Sequence, residues 1–188
     1  ALPSGEIRSL NASGRGAAAL DPAALRAAGH DVMPVTGPHP VTIPAAVEGM
    51  CTLSGALGRL GLDAVLAPAI HYAEAGVPVA PRVAFDWAVA QDRLQGTARR
   101  YYLDGEAPLR AGQLFRAPMQ AEVLRRIARQ GRAGFYEGEV AEDMVASLRA
   151  AGGVQTAEDF AAVRADWTTP IVGVYRGTEL VEHPPNGQ

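Results

Sequence analysis

The sequence predicts an α+β chain whose helices follow one another and whose strands lie at its two ends. Three observations carry this reading. "GEIRSLNASG" sets Ile7, Ser9 and Asn11 against Arg8, Leu10 and Ala12, the two-residue period of a strand. Between Pro44 and residue 165, apolar residues recur at three- and four-residue steps, in stretches closed by glycine. Only after Trp167 does β character return, in "TPIVGVYRGTELVEHP", where two short runs about "YRG" read as a hairpin.

Taken in order, the first strand is bounded by Gly5 and Gly14 and leads into the polar turn "NASGRG". Asp21-Pro22 then starts a short helix, with Asp as N-cap and Pro at the first helical position. Residues 30–43 are rich in proline and read as a loop. "PAAVEGMCTLSGALGRLG" places Val47, Met50, Leu53, Leu57 and Leu60 on one apolar helix face, with Gly61 as its stop. "DAVLAPAIHYAEAG" is a second helix from Asp63 to Gly76, in which Pro68 either makes a kink or marks the start. "PRVAFDWAVAQDRLQG" runs from Pro81 to Gly96, and a loop through "DGEAPLRAGQLFRAP" follows. "MQAEVLRRIARQG" and "GEVAEDMVASLRAAGG" are again amphipathic and again end on glycine. In "TAEDFAAVRA", Thr156 and Asp159 have the spacing of a capping box.

The last residues, "EHPPNGQ", join a stiff proline pair to an Asn-Gly turn, a segment that hands a chain from one ordered element to the next. Two strands alone are marginal in water, so the terminal strands are expected to join a sheet with partners outside the chain. The expected organisation is one incomplete domain over 1–188: a strand and loop in 1–20, a helical lobe in 44–165, and strands in 168–188.

Composition excludes several classes of function. The net charge of −3 gives no long-range attraction to nucleic acid or anionic membrane, and no apolar stretch is long enough for a membrane span. All 17 basic residues are arginine, so no lysine is present to form a Schiff base. Cys51 is the sole cysteine and reads as a buried structural thiol. His30, His39, His71 and His183 lack ligand spacing, no glycine-rich nucleotide loop occurs, and neither metal nor cofactor is expected. "GMCTLSG" resembles a nucleophile elbow only superficially, because it lacks the GxSxG order and falls inside a predicted helix. Glu142-Asp143 and "RRIARQGR" read as solvated helix faces.

Two strand-end loops remain, "NASGRG" and "EHPPNGQ". Arg15, set between glycines, is an approachable guanidinium suited to grip a carboxylate through two parallel bonds. The alternative is an exposed arginine in a turn, and the residues by themselves leave both readings open.

The order of motifs resembles the γ-glutamyltransferase family along essentially the whole chain. "SLNASGRGAAAL", "VTIPAAVEGMCTLSGALGRLG", "FYEGEVAEDMV" and "YRGTELVEHPP" match its successive blocks, the last two being the most specific. The resemblance implies an αββα N-terminal-nucleophile hydrolase sandwich, of which this chain supplies mainly the helical lobe and flanking strands. It implies a precursor that cuts itself and a small subunit whose new N-terminal threonine attacks γ-glutamyl amides of the glutathione type. No threonine of this chain matches that nucleophile block, so no catalytic residue is expected here. Arg15 corresponds to the arginine that holds the substrate α-carboxylate, although Gly16-Ala17-Ala18-Ala19 follow where the family has Glu and then Ala-Pro. Asn186 and Gly187 stand where the family has paired serines, and Gln188 replaces the first of two glycines. Asn186 is thereby a second substrate contact, and Gly187 and Gln188 candidates for the oxyanion loop. The resemblance leans to a periplasmic or secreted location and leaves a cytoplasmic one open. Loss of both serines keeps a glutaryl- or cephalosporin-type acylase as an alternative. A binding module that has lost the chemistry is another.

Overall fold

The computed structural model describes residues 2–185. The elements begin with β1 (Ser9–Asn11), α1 (Pro22–Ala27), α2 (Ala46–Leu57), α3 (Leu62–Ala75), β2 (Val77–Pro78) and α4 (Pro81–Ala90). They continue with α5 (Thr97–Tyr102), β3 (Leu103–Asp104), β4 (Ala107–Pro108), β5 (Leu114–Phe115), α6 (Pro118–Gln130) and α7 (Ala133–Tyr136). The last are α8 (Glu139–Ala150), α9 (Ala157–Ala161), β6 (Asp166–Thr168), β7 (Ile171–Tyr175) and β8 (Thr178–Glu182). No described helix is long and apolar enough to cross a membrane.

The chain is α+β, as its pattern predicts. It divides into two compact units, and the division runs through the stretch 44–165 that the sequence reads as one lobe. One unit joins the residues up to Gly61 with those from Gln130 onward, and the other spans Leu62–Arg129.

In the first unit β1 pairs antiparallel with β6, setting Ser9 opposite Thr168, Leu10 opposite Trp167 and Asn11 opposite Asp166. The pairing joins the first strand to one near the end of the chain in a ladder of two strands. The hairpin β7–β8 forms as predicted, and its turn residues Arg176 and Gly177 take φ of 51° and 79°, the left-handed pair that a two-residue hairpin demands. The core is Ile43, Tyr136, Ala141 and Phe160, with Phe135, Met144, Val145 and Leu148 packed against it. Local capping places the helices around it. Asp21 accepts the Ala23 N–H at 2.8 Å to start α1, and Thr156 and Asp159 form the complete capping box of α9.

Helix α2 departs from expectation. It ends at Gly58 instead of Gly61, and the face it buries is Glu48 and Gly49. Of the predicted apolar face Val47 packs against the core, while Met50, Leu53, Leu57 and Leu60 are exposed. The cause is Arg132, which offers Glu48 a partly buried partner, and Ala12, which packs where any Cβ on Gly49 would fall.

In the second unit α3 begins at Leu62 and continues through Pro68, which is therefore interior to the helix. The loop "DGEAPLRAGQLFRAP" contains short ladders: β3 pairs with β4, and β5 pairs with β2. A ring cluster accompanies them, with Tyr102 stacked on Phe115 at 5.7 Å and Trp87 edge-on to both. Aromatic packing between residues distant in sequence supports strands too short to be read from alternation.

Candidate active site

The loop after β1 opens onto a cavity of about 500 Å³. Its walls come from the turn 13–16, from Ile43 and Ala45 just before α2, from Asp159 of α9, and from the segment 162–166 that leads into β6. The β1–β6 pairing positions the mouth, because it brings the residues after Asn11 beside Asp166.

The backbone at Arg15 is held on several sides. The Ser13 N–H donates to the Asn11 side-chain oxygen at 2.9 Å, a local turn. The Ile43 N–H donates to the Arg15 carbonyl at 2.8 Å, and the Ala18 N–H to Asp159 Oδ1 at 3.0 Å. Gly14 lies so close to Ile43 that any Cβ on it would overlap the Ile43 carbonyl oxygen. While the main chain is fixed, the guanidinium is solvated: the Arg15 side chain is 88% exposed. Its Nη2 donates to Asp166 Oδ2 at 3.5 Å, and Asp166 is itself 58% exposed. A pair this long and this solvated holds weakly, about 0–1 kcal/mol. A carboxylate entering the cavity could bind the fork through two bonds and displace it.

Behind the walls lies a polar group that sequence reading misses. Arg132, taken there as part of a solvated face in "RRIARQGR", is mostly buried. Its Nε donates to Glu48 Oε2 at 2.6 Å, and Nη1 donates to Glu137 at 3.2 Å. Nη2 donates to the carbonyls of Ala161 at 3.1 Å and Val163 at 3.2 Å. The guanidinium also stands 5.2 Å over the Tyr136 ring. Tyr136 Oη in turn accepts the Glu48 N–H at 2.9 Å. Arg125, Arg126 and Arg129 of the same run do pair at the surface, with Glu122 or Glu74. Burial pushes the Cys51 thiol above its ordinary range, and the Glu48 charge pushes it further. Cys51 is only partly buried, however, so the buried thiol expected from the sequence is corrected to a half-buried one.

Of the residues predicted for the site, Arg15 lines the cavity. Asn186, Gly187 and Gln188 lie outside the described residues. Sequence reading finds Asp159 only as a helix cap and passes over Asp166. Nothing local marks either one, since each meets the Arg15 loop across more than a hundred residues of chain.

Comparison with known proteins gives this geometry its context. The family model described as gamma-glutamyltranspeptidase matches residues 2–188. The glutathione hydrolase-like YwrD proenzyme of Bacillus subtilis is 34% identical over 85% of this chain and 31% of its own length. The acylase ACY 1 proenzyme of Pseudomonas sp. (strain V22) is 33% identical over 80% of this chain and 27% of its own. The chain thus spans about a third of the length of these relatives. Among solved structures, the cephalosporin acylase from Bacillus halodurans superposes with a TM-score of 0.92 at 36% identity, over 98% of this chain and 36% of that one. Helicobacter pylori gamma-glutamyltranspeptidase gives 0.90 at 28% identity, over 99% and 55%. These are N-terminal-nucleophile hydrolase structures, in agreement with the fold that the motif order implies. With a family model along its length and relatives above 30% identity over four fifths of it, the chain belongs to the γ-glutamyltranspeptidase family.

Proposed function

We propose that the protein containing this chain cleaves γ-glutamyl amides by acyl transfer, and that Arg15 holds the α-carboxylate of the γ-glutamyl group. The observation that carries this reading is a fixed backbone presenting an exposed guanidinium to a cavity of about 500 Å³, with Asp166 as its loosely held counter-ion. A charge-assisted, two-bond grip on a carboxylate is the chemistry such a group offers.

The attacking group comes from a small subunit that this chain does not contain. There an N-terminal threonine adds through its hydroxyl oxygen to the γ-carbonyl, while its own α-amine takes the proton. The amine of the cleaved amide leaves with a proton, and the resulting ester passes its acyl group to water or to an amino acid. Relatives named as proenzymes support a processed two-subunit protein. On the same reading Asn186 is the second substrate contact, and Gly187 and Gln188 are the candidates to donate to the oxyanion. Such donors stabilise a transition state by about 3–4 kcal/mol.

A second reading, an acylase for glutaryl-type substrates, is favoured by Asn186 and Gly187 standing where the family has paired serines. It is also supported by similarity to proteins named as acylases. Kinetics of the complete protein on γ-glutamyl-p-nitroanilide and glutaryl-p-nitroanilide separate the two. A higher kcat/KM on the γ-glutamyl compound is expected, and a preference for glutaryl would install the acylase in its place. Arg15→Ala should lower kcat/KM on the γ-glutamyl compound by about tenfold to a hundredfold, the loss of one charged hydrogen-bonding partner.

A further inference from the structure

We infer that Arg132 is a positioning residue for the carboxylate site, acting through the cavity walls and not by touching substrate. The inference rests on the reading of Arg15 given above. Arg132 ties together the elements on which the cavity is built. Through Glu48 it grips the first turn of α2, directly after the wall residues Ile43 and Ala45. Through the carbonyls of Ala161 and Val163 it grips the end of α9, where the wall continues through Ala162, Val163 and Arg164 to Asp166. Ile43 is in turn bonded through its N–H to the carbonyl of Arg15. One guanidinium therefore spans the two walls between which the Arg15 side chain is presented.

The geometry calls for arginine. Three guanidinium nitrogens point in fixed directions at two carboxylates and two carbonyls, and the guanidinium carbon stands over the Tyr136 ring. An ammonium would still neutralise Glu48 but could not reach both Glu48 and the end of α9. Without the clamp, residues 161–166 could shift relative to the Arg15 loop, and small displacements of a binding group are costly.

The test uses the complete protein and Arg132→Lys, which leaves Glu48 a cation and so avoids an orphaned buried carboxylate. KM for γ-glutamyl-p-nitroanilide should rise about tenfold with kcat within about twofold. In an Arg15→Ala background the same substitution should raise KM no further, because the residue acts through Arg15. Leu148→Ala, which weakens the same core from α8, serves as the matched control: its melting temperature should fall while KM stays put. Arg132→Lys behaving like Leu148→Ala, with a lower melting temperature and unchanged KM, would overturn the inference. So would a KM increase that persists in full without Arg15. If Arg15→Ala itself leaves KM untouched, the assignment of Arg15 falls first and takes this inference with it.

Discussion

The carboxylate of Asp159 accepts the backbone N–H of Ala18 at 3.0 Å across 141 residues of chain, while its other oxygen accepts the N–H of Thr156 at 2.9 Å. One side chain thus caps α9 and ties down the loop that carries Arg15. Asp159→Ala should lose both, about 2 kcal/mol of stability, and raise KM for γ-glutamyl-p-nitroanilide. Thr156→Ala should lose the cap alone, about 1 kcal/mol, with KM unchanged. Thermal melts alongside KM for the two variants check this. Equal KM values would show that the Ala18 bond does not position the loop.

Gly14→Ala should be among the most damaging single substitutions in the chain. The added methyl would meet the Ile43 carbonyl, which is backbone and cannot swing aside. Overpacking of this kind costs about 1–3 kcal/mol and here also pushes Arg15 off its site. A melting temperature within a degree of the parent protein would contradict the close approach.

Asp166→Asn removes the resting partner of Arg15. Both side chains are largely solvated, so stability should change by no more than about 1 kcal/mol. With the competing carboxylate gone, glutarate should inhibit more tightly, by a few-fold. Weaker inhibition would mean that Asp166 assists anion binding instead of opposing it.

The Cys51 thiol, raised by burial and then by Glu48, should react slowly with a disulfide reagent at pH 8 and accelerate only above the ordinary thiol range. Because its folded pKa is raised, the stabilisation from the protonated thiol is present below the unfolded value of about 8.5 and is lost as pH rises through the folded value. Glu48→Gln should bring the reaction to lower pH. Rapid labelling at pH 8 in the native protein would exclude the half-buried neutral thiol.

Gly177 and Gly173 make a paired test of the hairpin. Gly177 has φ of 79° at the turn, so Ala there should cost about 1 kcal/mol through backbone strain alone. Gly173 in β7 has no positive φ and nothing within 4 Å of an added Cβ, so Ala there should be neutral or slightly stabilising. Calorimetry should show a loss for Gly177→Ala and none for Gly173→Ala.

What the sequence by itself determined is what short-range chemistry controls. Asp21-Pro22 starts α1, Thr156 and Asp159 cap α9, and the tight turn at Arg176-Gly177 makes the hairpin, because each requires only neighbours within a few residues. The motif order likewise carries the family. What only the tertiary structure decided depends on partners far along the chain. The apolar stripe of α2 predicts a buried face through Met50 and Leu53, yet Glu48 is the residue buried, because Arg132 and Tyr136 reach it from 84 and 88 residues away. The two-residue strands β2 and β5 are too short to show alternation and exist through their pairing. Arg15 reads from sequence as either a ligand-binding group or an idle turn residue, and what the tertiary structure adds is a backbone held by Ile43 and Asp159 and an exposed side chain loosely paired with Asp166. Periodicity reports how a segment meets its own neighbours. It does not reveal which distant charge will make burial of a polar side chain affordable.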